Sequence, residues 1–222
     1  MTEGTPQSGT TPPRKPPAPV RWIGKAEMRL VARAPRAWRI IRRPTRRFFD
    51  SLAAGWDRRV QPDSPEHLAA LFAGVENMQA APGRILDLGT GTGAAALALA
   101  RRFPEARVEG VDISERMISA AREKTSDDQG DRVRFSVADA AALPFEAESF
   151  DLVTQVSVPV FFDQVARLLR PGGHVIVVSS LGKATPYYLP NELLRRQFER
   201  RGLRTLATGK AGTGTFFVAE RP

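Results

Sequence analysis

The rhythm of apolar and polar positions divides this 222-residue chain into three stretches. Residues 1–20 are rich in Pro, Thr and Gly, and apart from Met1 the only large apolar residue is Val20. Such a stretch cannot bury enough surface to offset the entropy of ordering it, so a disordered tail is expected. Over residues 21–47 the pattern becomes amphipathic. Ile23, Leu30, Val31, Ala34, Trp38 and Ile41 recur at roughly helical spacing among arginines, interrupted by Pro35 and closed by Pro44. From residue 48 to 222 the pattern is that of a globular domain. The link RRFFDSLAAGWDRR leads into it, and a helix is expected from Ser64, with Ser64 as cap and Pro65 at the first position.

From Arg84 onward strand and helix patterns alternate. Strand-like runs cover Arg84–Leu88, Arg107–Asp112, Val133–Ala138, Phe150–Gln155 and His174–Ser179, with helical patterns near 93–103, 114–124 and 160–169. This alternation predicts an α/β fold, a parallel sheet with helices on both faces. The end differs. A helix opens at Asn191 and closes at Gly202, and the Gly-rich GKAGTG then separates Leu203–Thr208 from Thr215–Ala219. That is a hairpin pattern, so the last strand should run antiparallel.

Charge changes the picture of the N-terminal part only. Of the net +9, residues 1–60 hold 14 Lys/Arg against 4 Asp/Glu, whereas residues 61–222 hold 19 against 20. The high isoelectric point belongs to the arm, which weakens any claim that the domain itself tracks a phosphate backbone. With no cysteine, a disulfide, a thiolate metal site and a cysteine nucleophile are all excluded. Two isolated histidines, His67 and His174, do not suggest a metal site, and none is expected. No apolar run approaches the ~20 residues that cross a bilayer, and the N-terminus lacks the apolar core of a secretory signal. The expected location is the cytoplasm, peripheral at the membrane if the arm binds one.

The segment ILDLGTGTGAAALALA, residues 85–100, carries the chemistry. A buried strand ends at Asp87-Leu88, and Gly89, Gly91 and Gly93 then let the backbone approach a ligand before an Ala/Leu helix begins. The turn alone also satisfies the relaxed dinucleotide fingerprint. Asp87 separates the two readings: it would repel a pyrophosphate, and it suits a ligand carrying an ammonium and a sulfonium. Asp112 ends the second strand, where a carboxylate can take both ribose hydroxyls. In VRFSVADAAALPF, residues 133–145, Asp139 is placed to accept from an adenine amino group beside the backbone N–H of Ala140. Ile113 and Met117 are expected apolar walls for the ring. LLRPGGHVIVV, residues 168–178, feeds the fifth strand.

Together these four segments resemble class I S-adenosylmethionine-dependent methyltransferases of the small-molecule type, in layout the ubiquinone/menaquinone-biosynthesis branch. The resemblance covers about residues 46–220. It implies a Rossmann-like, doubly wound seven-stranded sheet of order 3-2-1-4-5-7-6, preceded here by the basic arm. It also implies S-adenosylmethionine lying across the strand tips near Asp87, Gly89, Gly91, Asp112 and Asp139. Trp56-Asp57 stands where relatives carry an aromatic-Asp pair that packs over the cofactor.

The acceptor is less sharply marked. After the fourth strand there is no Asn/Asp-Pro-Pro-aromatic motif, which argues against exocyclic amines and amides. Only 15 residues separate Gln155 from Pro171. Acceptor contacts are therefore expected from the N-terminal link and the 181–190 loop, with Gln155, Ser157, Phe161, Phe162, Tyr187 and Tyr188 as candidates and His67 as a residue that could reach the site mouth. Such a lining suits a small amphiphilic or aromatic acceptor, by O- or C-methylation. The alternative is an RNA or protein methyltransferase whose arm binds a polyanion. For residues 21–43, with eight Arg/Lys, one Glu, Trp22 and Trp38, the expected partner is an anionic membrane surface, with nucleic acid less favoured and a plain solvated tail as the bland alternative.

Overall fold

The computed structural model describes Gly24, Ala26 and residues 37–126 and 129–222. The expected tail over 1–20 and most of the arm lie outside the described residues.

The described chain opens with helix α1 (Trp38–Leu52), a 3-10 turn at Ala53–Gly55, and helices α2 (Trp56–Val60) and α3 (Pro65–Val75). Strand β1 (Arg84–Leu88), α4 (Ala94–Arg102), β2 (Arg107–Asp112), α5 (Glu115–Glu123) and β3 (Val133–Val137) follow. Strand β4 (Phe150–Val156), α6 (Phe162–Leu168), β5 (Leu169–Ser179), α7 (Asn191–Glu199), β6 (Arg204–Ala211) and β7 (Gly214–Glu220) complete the chain. The seven strands form one sheet in the order β3-β2-β1-β4-β5-β7-β6. The first five run parallel, and β7 is antiparallel to both β5 and β6. The expected order and the antiparallel last strand are both present.

The central strands are buried on both faces, as helices on either side of a parallel sheet require. On one face Ile85, Val108, Leu152 and Ile176 pack with Leu71 of α3, Leu99 of α4 and Ile118 of α5. On the other, Leu86, Val111, Val153 and Val175 pack with Val165 of α6 and Phe198 of α7. Ser64 caps α3 as expected, accepting from the backbone N–H of His67.

One expectation is corrected. Pro44 does not close the arm helix: α1 runs through it to Leu52, so most of the expected link is helical. Proline removes the N–H that would bond the Ile40 carbonyl. That turn faces solvent, where Ile40 is 79% exposed, and water can take the freed carbonyl. At the foot of β4, Asp151 Oδ2 accepts from the backbone N–H groups of Gly83 and Arg84, each at 2.7 Å. The foot of β4 thus fixes the foot of β1, the strand that delivers the glycine loop.

Candidate functional site

The three carboxylates anticipated from the sequence converge at the C-terminal edge of the sheet, where ligands of open α/β folds bind. Gly89, Gly91 and Gly93 all adopt positive φ (69°, 55° and 84°). A Cβ on Gly89 would strike Val158, and one on Gly93 would strike Phe135. At Gly91 a Cβ would meet nothing within 4 Å. Two glycines therefore serve packing, and Gly91 keeps the open space through which a ligand can approach the backbone.

Each carboxylate is held by its own set of donors. Asp87 is buried, 1% exposed, and accepts from Thr90 Oγ1 (2.7 Å) and Thr154 Oγ1 (2.8 Å). Burial, together with the nearby Asp112 charge, pushes its carboxyl up to about 6 despite those hydrogen bonds. Asp112 accepts from the backbone N–H of Gly91 (3.0 Å) and of Ser114 (2.8 Å). Burial raises its pKa as well. Ser114 caps α5 through the backbone N–H of Met117, which leaves Asp112 free of that duty. With four lone-pair directions on its two oxygens, Asp112 retains acceptor capacity beside these backbone donors. Met117 is buried in the first turn of α5, and Ile113 is half-buried beside it.

Asp139 is the exception. Its Oδ1 accepts from the indole Nε1 of Trp38 at 2.6 Å and from the backbone N–H of Ala141 at 3.0 Å, and its Oδ2 pairs with Arg42 at 3.0 Å. Trp38 packs edge-on against Phe161, with centroids 5.1 Å apart, and Ile113, Ala140 and Ala141 pack against that pair. Sequence reading placed Trp38 on the arm and Asp139 at the nucleobase, without joining them.

Further contacts from α1 and α2 reach the same edge. Ser114 Oγ donates to Asp50 at 2.7 Å, Thr92 Oγ1 donates to Asp57 at 2.6 Å, and Lys124 pairs with Asp57 at 2.8 Å. Asp57 thus holds the glycine loop, whereas its neighbour Trp56 packs on Phe49. The threonines of the GTGTG loop were the available signal for these contacts. Thr154 gave none, since only the register that aligns it with Asp87 brings it there.

The acceptor candidates are less unified. Gln155 aligns with Leu88 at the end of β4. Its Nε2 donates to the Pro159 carbonyl (3.1 Å), and its buried Oε1 finds no partner among the described residues. Ser157 sits at φ 58° and shares a 2.7 Å hydrogen bond with Ser180. Tyr187 is half-buried against the core of its face, and the half-buried Tyr188 donates its backbone N–H to Thr185. Phe162 belongs to the core with Phe198. His67 is buried in the first turn of α3, and burial lowers its pKa, favouring neutral imidazole.

Residues 85–173 match the family described as "Methyltransferase domain". A demethylmenaquinone methyltransferase of Thermus thermophilus is 44% identical over 108 residues, 46% of this chain and 49% of that protein. A ubiquinone/menaquinone biosynthesis C-methyltransferase of Syntrophotalea carbinolica is 34% identical over 143 residues, 60% of each chain. The chain thus spans about half to three-fifths of the length of these curated relatives. The crystal structure of a SAM dependent methyltransferase from Aquifex aeolicus has a TM-score of 0.61 at 18% identity, covering 73% of this chain and 96% of that one. At that identity the likeness is one of fold.

The raised Asp87 carboxyl has a thermodynamic consequence. Between the unfolded value near 3.8 and about 6, the folded state binds more protons than the unfolded one. The stability this contributes is fully present below 3.8 and is lost as pH rises through about 6. The Asp87→Asn variant should therefore gain on the unliganded wild type by about 2 kcal/mol between pH 4 and pH 7. Urea unfolding at stepped pH measures this. A difference that stays flat over that range would contradict the burial argument.

Proposed function

We propose that this chain, a class I methyltransferase by its fold and its matched domain, binds S-adenosylmethionine at the edge formed by β1, β2 and β3. In this reading it transfers the methyl group to a small aromatic or amphiphilic acceptor by C- or O-methylation. The observation that carries the reading is the placement of Asp87, Asp112 and Asp139 at the C-terminal ends of three adjacent strands around the open backbone of Gly91.

When bound, the cofactor supplies an electrophilic methyl group on a sulfonium centre. Asp87 balances the positive charge at the methionine end, a role that favours its ionised form. Asp112 takes the ribose hydroxyls with the lone pairs it retains. Asp139 and the N–H of Ala140 read the adenine edge, and Met117 and Ile113 supply apolar surface. Orientation and exclusion of water carry much of the acceleration in a transfer that quenches charge.

The acceptor side is drawn from Gln155, Ser157, Tyr187 and Tyr188, with the unpartnered Gln155 Oε1 available to a donor on the ligand. These groups are neutral, which favours an uncharged, ring-bearing acceptor. The names of the two relatives, both quinone-pathway methyltransferases, support the same class. No helix among the described residues is long and apolar enough to cross a membrane. Yet α1 turns Ile40 and Phe48 outward among Arg39, Arg43 and Arg47. Apolar residues set among arginines suit an anionic lipid surface better than a nucleic acid.

S-adenosylhomocysteine should raise the melting temperature and NADH should not; at a hundred times its dissociation constant the ligand stabilises by about 2.7 kcal/mol. Asp112→Ala and Gly91→Val should each lower that shift while the unliganded proteins stay folded. Stabilisation by NADH alone would overturn the cofactor assignment. The full chain should also sediment with vesicles containing phosphatidylserine and not with neutral ones, and Ile40→Asp with Phe48→Asp should abolish this. Unchanged sedimentation of that double variant would contradict the lipid-facing role.

A further inference from the structure

We propose that Trp38 occupies the nucleobase subsite in the unliganded protein, so that cofactor binding and release of helix α1 are a single competitive event. The proposal rests on the cofactor reading above and goes beyond it.

The chemistry of the subsite supports the substitution. Adenine and indole are both planar bicycles that present an N–H donor at one edge. Trp38 directs that donor to Asp139 Oδ1 at 2.6 Å, and Oδ1 also accepts from the Ala141 N–H. A carboxylate oxygen has two lone-pair directions, and both are used. An adenine amino group reaches the same oxygen only when the indole leaves. The faces tell the same story: Ile113 and Ala140, assigned to the nucleobase from sequence, pack against the Trp38–Phe161 pair, and Trp38 is only 4% exposed.

The arm's ion pairs resist its release only weakly, and the main tether besides Trp38 is the 2.7 Å hydrogen bond from Ser114 to Asp50. Arg42 meets Asp139 with its side chain 44% exposed, and Arg46 reaches Asp50 (3.5 Å) and Glu115 (3.1 Å) from equally exposed positions. Exposed pairs of this kind contribute little individually and are screened by salt. The freed helix would carry Trp38 together with the already exposed Ile40, placing an aromatic anchor and arginines on one detachable element. Cofactor occupancy would then set how much of the arm is available to a surface.

The test uses the full chain and S-adenosylhomocysteine. By calorimetry, Trp38→Ala should bind about tenfold more tightly than wild type, because the competing docked state is removed. Trp38→Phe, which keeps a ring and loses the donor, should show part of that gain. In a Trp22→Phe/Trp56→Phe background Trp38 is the sole tryptophan, and its emission should shift to the red on titration as it enters water. Weaker binding by Trp38→Ala would make the indole a wall of the subsite and overturn the proposal. So would equal affinities with unchanged Trp38 emission. Binding by neither wild type nor variant would instead overturn the cofactor reading itself.

Discussion

Like charges gathered at one edge of a low-dielectric sheet repel one another and resist burial, and everything at this site follows from supplying them with donors. Asp87, Asp112 and Asp139 stand at the C-terminal ends of neighbouring strands, with Asp50 and Asp57 brought up from the N-terminal helices. Repulsion is felt directly: Asp112 adds to the rise at Asp87, and Asp50 adds to the rise at Asp112. The fold answers with two threonine hydroxyls at Asp87, two backbone amides at Asp112, and an indole, an amide and a guanidinium at Asp139. The local donors come from turns whose conformation the glycines permit. The borrowed ones come from the arm.

That division explains what could be read beforehand. The glycine loop, the strand tips and the cap at Ser114 are local features, written within a few consecutive residues, and the strand order came with the resemblance they support. The helix through Pro44 was missed because a proline rule applied locally ignores where the freed carbonyl points; Ile40 faces water. The start of β5 was also missed. The RPGG segment reads as a turn, yet Leu169 already pairs with Phe150 across a register shift. Trp38 and Asp139 are separated by 101 positions. Their junction depends on how α1 lies over the finished sheet, which no short pattern records.

The arm therefore has two faces with different business. Its inner face, Trp38 and Arg42, satisfies the one carboxylate that local turns leave underserved. Its outer face carries Ile40, Phe48 and arginines. If the cofactor brings its own donors to Asp139, the arm's inner contacts become redundant and its attachment weakens. Cofactor binding and arm docking are then linked through a shared acceptor, with no need for a rearrangement of the sheet.

Hydrogen exchange of the full chain with and without S-adenosylhomocysteine tests this account most directly. It predicts slower exchange at residues 88–93 and 112–117, where the ligand meets the loop and the start of α5, together with faster exchange over residues 38–50. Protection confined to other strand ends, or slower exchange across both the loop and α1, would contradict it.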